Sequence, residues 1–276
     1  MAHLTVLIPC KNERQHIAAC IESARAVADE ILVADSGSTD GTLDIVRNLG
    51  GCRIIEREFV GFGDFKNWAI PQAKHEWVFL LDADERITPE LVAEIERTIP
   101  AAPPHLDMYL VPRRNYFMGH EIRHCGWGTD HCQRLIRRDE CRFAHHRVHE
   151  RFVVPANRTG RLQGKIQHYT FGTYHDFFRK HLKYAELWAR DAWDEGHRAT
   201  WTSLLLRPAL RFLHLYLVQR GFLDGLAGLQ TAMALACVTF IKQAYLWEWE
   251  HAKPLRVWEA EQAGNPSSES QRARAA

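Results

Sequence analysis

Two aspartates separated by one residue, Asp82 and Asp84, directly follow the apolar run at 77–81. In an extended backbone, residues i and i+2 point to the same side, so both carboxylates can face one ligand. Hard divalent cations such as Mg²⁺ or Mn²⁺ take oxygen ligands and often pair carboxylates with substrate phosphates. The pattern therefore predicts a metal site for a phosphate-bearing substrate. The alternative is a solvated turn before a helix that begins near Pro89.

The apolar runs that would position these aspartates alternate with helical patterns. Runs at 4–8, 30–34 and 77–81 are separated by helical spacing over 13–27 and from 38 to about 49. This alternation indicates βαβ units and a mainly parallel sheet, which binds ligands at the carboxyl ends of its strands. Polar clusters fall at those predicted ends: KNE at 11–13, DSGS at 35–38 and DAD at 82–84.

The rest of the chain has a different pattern. Short strand-like pieces at 109–112, 134–137, 151–154 and 165–169 predict a mixed or antiparallel extension of the sheet, where an acceptor would bind. From about 174 to 250 the pattern is helical, and 263–276 has the composition of a disordered tail. We therefore expect a catalytic domain at 1–172, with halves 1–105 and 106–172, then a helical extension at 173–262 and the tail.

Composition sets limits on the class of partner. The chain of 276 residues is 46% hydrophobic and 25% charged, and its formal net charge is +1. This balance gives no support to nucleic acid as a partner. Seven cysteines without a CxxC pair suit reduced thiols in the cytoplasm, and the N-terminus lacks the basic segment of a secretory signal. We expect a cytoplasmic protein.

Four motifs in the first 100 residues resemble the successive signatures of family 2 glycosyltransferases, which have the GT-A fold. They are TVLIPCKNE at 5–13, VADSGSTDGT at 33–42, FKNWA at 65–69 and LDADE at 81–85. The resemblance implies a nucleotide-sugar donor, a UDP-sugar, and a Mg²⁺ or Mn²⁺ ion that bridges its diphosphate.

The same resemblance assigns roles along the donor site. Asp35 would bind uracil, Lys66 would approach the diphosphate or donor sugar, and the DAD segment would hold the ion. The residues implied for the nucleotide sugar are Pro9, Asn12, Glu13, Asp35, Ser38, Asp40, Lys66, Asp82 and Ala83. Glu13 and Asp40 have an alternative role as helix caps or acids of a first helical turn.

Inverting glycosyl transfer also needs a carboxylate that takes the proton of the attacking hydroxyl. Glu150 is the first candidate for this base and Asp130 the second. His168, at the end of a strand-like piece, resembles the last metal-binding histidine of many GT-A enzymes and could complete a site with Asp82 and Asp84. Candidate acceptor contacts are Trp127, Arg134 and His149. The cysteine and histidine spacings at 124–149 match no standard structural zinc pattern.

Further motifs resemble one subgroup, the bacterial lipopolysaccharide inner-core β-glucosyltransferases: GW at 126–127, RLIRR at 134–138, VHE at 148–150 and GFLDG at 221–225. The resemblance implies transfer of glucose from UDP-glucose to a core heptose. Alternatives are another lipid-linked or protein acceptor, a non-catalytic nucleotide-sugar-binding module, and a nucleotidyltransferase. The last would need a Gly- and Arg-rich phosphate loop that PCKNE at 9–13 does not provide.

The C-terminal third is rich in Trp, and four Arg with no acid lie between 198 and 220. Such amphipathic helices favour the membrane interface. The longest apolar stretch, 226–241, is shorter than the roughly 20 residues needed to span a bilayer. We therefore expect peripheral contact with the inner face of the cytoplasmic membrane, which would suit a lipid-linked acceptor. The alternative is that these helices only complete the core.

Overall fold

The structure is a computed structural model that describes residues 3–143 and 152–252. Its strands are β1 (Leu4–Cys10), β2 (Glu30–Asp35), β3 (Cys52–Glu56), β4 (Trp77–Leu80), β5 (Glu85–Ile87), β6 (Met108–Phe117), β7 (His120–Ile122), β8 (His131–Arg137), β9 (Thr159–Arg161) and β10 (Ile166–Phe171). Its α-helices are α1 (Ile17–Arg25), α2 (Thr42–Leu49), α3 (Phe62–Ala69), α4 (Pro89–Thr98), α5 (Tyr174–Asp194), α6 (Trp201–Leu213) and α7 (Gly225–His251).

The strands form one sheet in the order β3-β2-β1-β4-β8-β6-β10-β5, and β7 and β9 pair with β6. The first four strands in this order are parallel to one another. Strand β8 is antiparallel to both β4 and β6, while β10 is parallel to β6. The expected parallel half and mixed extension are therefore confirmed.

Strands β1, β2 and β4 of the parallel half are covered on both faces, and their sequences are almost continuously apolar, as is typical of such strands. On one face, α1 packs Ile17 and Ile21 against Val6 and Ile8. On the other face, Phe65 of α3 belongs to a second buried cluster, which also contains Leu7, Leu32, Leu80 and Ile70. Each fully buried aliphatic side chain contributes about 1.5–3 kcal/mol. This packing holds the carboxyl ends of β1, β2 and β4 in fixed positions.

Strand β6 changes partners along its length, which positions the second half of the site. Residues 108–112 pair with β8 and β9, whereas residues from Arg113 onward pair with β10 and β7. Pro112 lies where β6 changes partner, directly before its pairing with β10 begins at Arg113. Proline has no amide hydrogen to donate, so it is best tolerated at such a position. Arg113 and Asn115 therefore lie beside β10. The strand expected at 151–154 is wrong for its described residues, since only an isolated bridge between Phe143 and Phe152 forms there.

The helical extension follows β10 directly. Thr173 caps α5 by accepting from the amide of Asp176, and Thr200 and Ser203 form a capping box at the start of α6. A π-helical turn, His214–Val218, and a 3₁₀ turn, Gly221–Asp224, join α6 to α7, and the two helices pack together as a hairpin.

The length expected for the apolar C-terminal stretch was too short. The helical segment Gly221–His251 is long and apolar enough, by length and composition, to cross a membrane. A core helix of a soluble protein passes the same test, and Ala232, Ala234 and Val238 of α7 are buried in a cluster with Phe177 of α5. Length alone therefore does not separate a spanning helix from a packed one.

Candidate active site

The Asp82 carboxylate lies just beyond β4, between two cations. Its Oδ2 accepts a hydrogen bond from the guanidinium of Arg134, and its Oδ1 is 3.9 Å from the ammonium nitrogen of Lys66. Burial raises the pKa of Asp82, but the positive charges of Arg134 and Lys66 outweigh this effect and hold the pKa well below its usual range. Asp82 is therefore a fixed negative charge with Lys66 beside it.

The second aspartate, Asp84, lies between β4 and β5 and faces His168 of β10, the strand that pairs with β5. The Nε2 atom of His168 is 3.4 Å from Asp84 Oδ2, and the amide of Tyr169 donates to the Asp84 carbonyl at 2.9 Å. Burial raises the pKa of Asp84, but the hydrogen bond and charge of His168 outweigh it and lower the pKa.

The tautomer of His168 follows from Asn115. The Asn115 Nδ2 group meets two oxygens, those of the Trp127 carbonyl at 3.1 Å and of Asp130 Oδ2 at 3.3 Å, so this end of the amide is the donor. Its Oδ1 must then accept from His168 Nδ1, 2.7 Å away. In neutral His168 the Nε2 lone pair would face the Asp84 carboxylate. Two acceptors that face each other require a proton or a metal cation between them.

A buried charge network lies beneath the aspartates. Glu85 is fully buried, and its Oε1 accepts from Arg134 at 2.6 Å and lies 3.6 Å from Arg113. Arg113 also donates from Nε to Asp130 Oδ2 at 2.8 Å. Asp82 is thus connected to Asp130 through alternating charges. The pairing is needed because unpaired charges in such positions cost several kcal/mol each, as an order of magnitude.

The loops after β1 and β2 are tied together. The amide of Asn12 donates to the Ser38 hydroxyl at 2.9 Å, and Asn12 Oδ1 accepts from the amide of Thr39 at 2.8 Å. Asn12 adopts φ 57°, a left-handed conformation that asparagine tolerates better than most residues. The carboxylate of Asp35 is fully buried and accepts from the amides of Gly37 and Ser38, each at 2.8 Å. Asp35 therefore shapes the loop in which a base would bind.

Asp40 and Glu13 occupy different environments. Asp40 accepts from the amide of Thr42 at 3.0 Å and from that of Arg14 at 3.1 Å. Asp40 precedes Gly41, the N-cap of α2, so it bonds to the first amide of the helix without being the cap residue. Burial and the nearby Asp84 carboxylate raise the pKa of Glu13 to about 7. Glu13 thus adds a titrating carboxyl beside Asp84.

The structure brings together Asp82, Asp84, His168, Lys66 and Glu13 at one edge of the sheet. Other expected donor-site residues lie in or beside the adjoining loops and strand ends: Pro9, Asn12, Asp35, Ser38, Asp40 and Ala83. Glu150 and His149 lie outside the described residues. The Trp127 carbonyl and the Asp130 carboxylate both accept from the amide of Asn115, which in turn contacts His168.

The position of Arg134 corrects the expected acceptor contact. Its side chain is 7% exposed, and its guanidinium is engaged by Asp82 and Glu85. A cation held between two carboxylates beneath the site is their counter-ion, so it does not contact an acceptor sugar.

Sequence reasoning missed Glu85, Arg113, Asn115 and Lys180. Glu85 belongs to the LDADE motif, and a buried acid directly after two aspartates could have signalled a counter-ion. No local pattern marks Asn115 or Arg113, because their roles depend on the pairing of β6 with β10. Lys180 of α5 acts from the helical extension and lowers the pKa of Glu13 against the effect of burial.

The donor set fits a divalent cation only in part. Asp84 and His168 supply an oxygen and an oriented imidazole nitrogen, and both types of ligand suit Mn²⁺. Within residues 3–143 and 152–252, however, no group of three or more His, Cys, Asp or Glu side chains is arranged to hold a metal. Asp82 turns to Arg134 instead. The three-residue metal site expected from the sequence, Asp82, Asp84 and His168, stays a prediction.

The amino-acid sequence is similar to those of known glycosyltransferases over most of its length. Residues 5–211 match the model of Glycosyl transferase family 2. The lipopolysaccharide core biosynthesis glycosyltransferase LpsC of Rhizobium meliloti is 31% identical over 258 residues, which cover 92% of this chain and 94% of that protein. An uncharacterized glycosyltransferase of Rickettsia prowazekii is 26% identical, over 89% of this chain and 87% of its own.

Among solved structures, S. aureus TarS 1-349 shares 16% identity and a TM-score of 0.44, over 92% of this chain and 93% of that one. A similarity this distant carries no argument about substrates. The family match, by contrast, runs from the first strand through the donor-site aspartates, His168 and most of α6. The chain belongs to Glycosyl transferase family 2 and is a glycosyltransferase with the GT-A fold.

Proposed function

We propose that this glycosyltransferase moves a hexose, glucose from UDP-glucose, to a heptose of the lipopolysaccharide inner core with inversion at the anomeric carbon. The observation that carries the proposal is the convergence of Asp82, Asp84, Lys66 and His168 at the carboxyl end of β4. The similarity to LpsC over almost the whole chain supports the lipopolysaccharide core as the destination.

On the donor side, Asp84 and His168 would hold Mg²⁺ or Mn²⁺, with Asp82 as the expected further ligand. The ion would supply positive charge to the diphosphate leaving group. Lys66, whose side chain is 16% exposed, is suited to bind a diphosphate oxygen. The loop shaped by Asp35 and Ser38 would receive the uracil, whose imide N–H needs an acceptor.

On the acceptor side, a carboxylate would take the proton of the attacking hydroxyl. The hydroxyl oxygen would bond to the anomeric carbon while the bond between that carbon and the diphosphate oxygen breaks. Asp130 Oδ2 already accepts from Arg113 and Asn115. These two contacts hold the carboxylate in place and engage one of its oxygens. Glu150 therefore remains our first candidate for the base, and Trp127 and His149 our candidate acceptor contacts.

The acceptor would be a saccharide anchored in lipid, and the enzyme would work at the inner face of the cytoplasmic membrane. A glycosyltransferase for another lipid-linked or protein acceptor is the nearest alternative. A non-catalytic nucleotide-sugar-binding module is a second alternative, and the retained Asp82, Asp84 and Lys66 argue against it.

Release of UDP from a panel of UDP-sugars, with and without Mn²⁺ and a heptose-containing lipopolysaccharide acceptor, tests the proposal. We expect acceptor-dependent release with UDP-glucose and a loss of about 100-fold or more in Asp84→Ala. Arg47→Ala, on the exposed face of α2, is the matched control. Binding of UDP without release would favour the non-catalytic module. If Asp84→Ala turns over like the wild type, the metal proposal is wrong; if Glu150→Gln does, the base moves to Asp130.

A further inference from the structure

The outer side of α6 carries a continuous apolar surface. Leu206, Leu210, Leu213 and Leu217 recur at helical spacing along α6 and the π-helical turn, and they are 52%, 62%, 45% and 54% exposed. We call these four leucines the α6 face. Side chains spaced in this way lie on one side of a helix. A leucine stripe that the rest of the described chain leaves open is unusual for a protein surface.

The turn between α6 and α7 extends this surface. Val218, Phe222, Leu223 and Leu226 are 70%, 46%, 57% and 74% exposed at the end of the helical hairpin, and we call them the hairpin tip. Gly221 allows the tight turn, because a Cβ there would lie 2.4 Å from Cys125 Sγ and 2.9 Å from the Leu215 carbonyl oxygen. The tip is thus a convex apolar end on a packed helical base.

The exposed charges within the stretch that carries this surface have one sign. Between residues 196 and 247 the sequence contains a single acid, Asp224, whose side chain is only 4% exposed and lies 2.8 Å from His124 Nδ1. The same stretch contains Arg198, Arg207, Arg211 and Arg220. Arg207 and Arg211 each follow a leucine of the α6 face, about 100° further round the helix, so they flank that face, and both are exposed. Arg207 also borders Asp191 and Glu195 of the neighbouring segment.

We infer that the α6 face and the hairpin tip bind the surface of an anionic lipid bilayer, with the leucines in the interfacial layer and the arginines at the headgroups. An exposed leucine face flanked by exposed arginines, with no exposed acid between residues 196 and 247, fits this partner. A second copy of the chain fits less well, because a two-fold contact would bring the same cationic surface against itself. The inference rests on the proposed function, since a lipid-linked acceptor gives membrane binding its use.

The hairpin is also joined to the acceptor side of the site. The Asp224 carboxylate accepts from the amide of His124 at 2.8 Å, and the amide of Cys125 donates to the Gln219 carbonyl at 3.2 Å. The same loop continues to Trp127, whose carbonyl accepts from Asn115. A bilayer at the hairpin would therefore fix the loop that borders Asp130 with respect to the membrane.

Flotation of the purified full-length protein with lipid vesicles tests the inference. The vesicles contain phosphatidylethanolamine with a quarter phosphatidylglycerol, and phosphatidylcholine vesicles provide the neutral comparison. We expect binding to the anionic vesicles that falls roughly tenfold in L206Q/L210Q and in R207Q/R211Q. The matched control is L182Q/L187Q, which changes two leucines of α5 that are 40% and 36% exposed and lie outside this surface.

Equal vesicle binding by all three double variants would overturn the inference. So would a wild-type dimer in light scattering that dissociates in L206Q/L210Q, which would assign the surface to a second copy. Resistance to alkaline extraction from membranes would overturn it as well, since that behaviour belongs to a spanning α7. Vesicle binding is measured without donor or acceptor, and UDP release with delipidated core oligosaccharide is measured separately. If UDP release fails, the vesicle-binding result can therefore still be interpreted by itself.

Discussion

Replacing Arg134 by leucine tests the buried charge network beneath the donor site. The guanidinium bonds to Asp82 and to Glu85, whose side chain is fully buried, so the variant leaves two carboxylates without their main partner. Removing one partner of a buried ion pair costs about 3–5 kcal/mol. Arg113, 3.6 Å from Glu85, and Lys66, 3.9 Å from Asp82, remain and reduce the loss. We expect the free energy of unfolding to fall by about 3 kcal/mol at pH 7.

The loss should depend on pH in a defined direction. In the wild type the pKa of Asp82 is depressed, so its stabilising contribution is present above the unfolded-state pKa and disappears only as the pH falls through the lower folded-state value. In Arg134→Leu the lowering effect of the guanidinium is lost, and we expect burial, which raises the pKa of the same carboxyl, to outweigh the remaining charges of Lys66 and His168. A carboxyl with a raised pKa destabilises the folded state at neutral pH, and protonation relieves this. The difference between variant and wild type should therefore shrink between pH 7 and about pH 4.5.

Urea unfolding followed by circular dichroism at both pH values measures the two free energies. Arg47→Leu is the control, because Arg47 and its partner Asp44 are 55% and 78% exposed and such pairs contribute at most about 0.5 kcal/mol. A loss in Arg134→Leu no larger than in the control would refute the counter-ion role. A loss that is the same at both pH values would show that missing packing, and not unpaired charge, causes it.

Two other predictions concern single side chains of the site. Asn115→Leu removes the shorter contact of His168 Nδ1, at 2.7 Å, and leaves only the Thr170 hydroxyl at 3.1 Å. The apparent Mn²⁺ affinity in UDP release should weaken by about 10–100-fold; an unchanged metal response would exclude this positioning role. In the wild type, the pKa of Glu13 is raised to about 7, so stability should decline as the pH rises from about 4.5 towards 7. Glu13→Gln should remove this decline and unfold at higher urea concentration than the wild type at pH 8; parallel pH profiles of the two proteins would contradict it.

The donor half could be predicted because its signals are local. The apolar runs at β1, β2 and β4 are short and uninterrupted, and each is followed within the sequence by the polar residues that its carboxyl end presents. Parallel strands place those ends at one edge without further information. Asp82 and Asp84 could therefore be placed at this edge before any contact was known, whereas Lys66, on α3, was assigned through the family resemblance.

The second half depended on pairings that the sequence does not encode locally. Arg134 was expected to contact the acceptor, and no local pattern marks it as a buried counter-ion. Its partner Glu85 lies 49 positions away, and only the antiparallel pairing of β4 with β8 brings the two together. The same holds for Asn115 and His168, 53 positions apart on β6 and β10. Apolar periodicity alone also could not show that α7 is one continuous helix.

Asn115 links the donor and acceptor sides of the site through a single amide. Its Oδ1 fixes the tautomer of His168 on the donor side, while its Nδ2 donates to Asp130 and to the Trp127 carbonyl on the acceptor side. The two ends of an amide cannot rotate independently, so a shift of either group must strain the other. The amide is 3% exposed, and water cannot readily replace the bonds it would lose. The geometry between the His168 imidazole and the loop at Trp127 is therefore set by one buried side chain, whereas the hairpin contacts that loop through Asp224 and backbone hydrogen bonds.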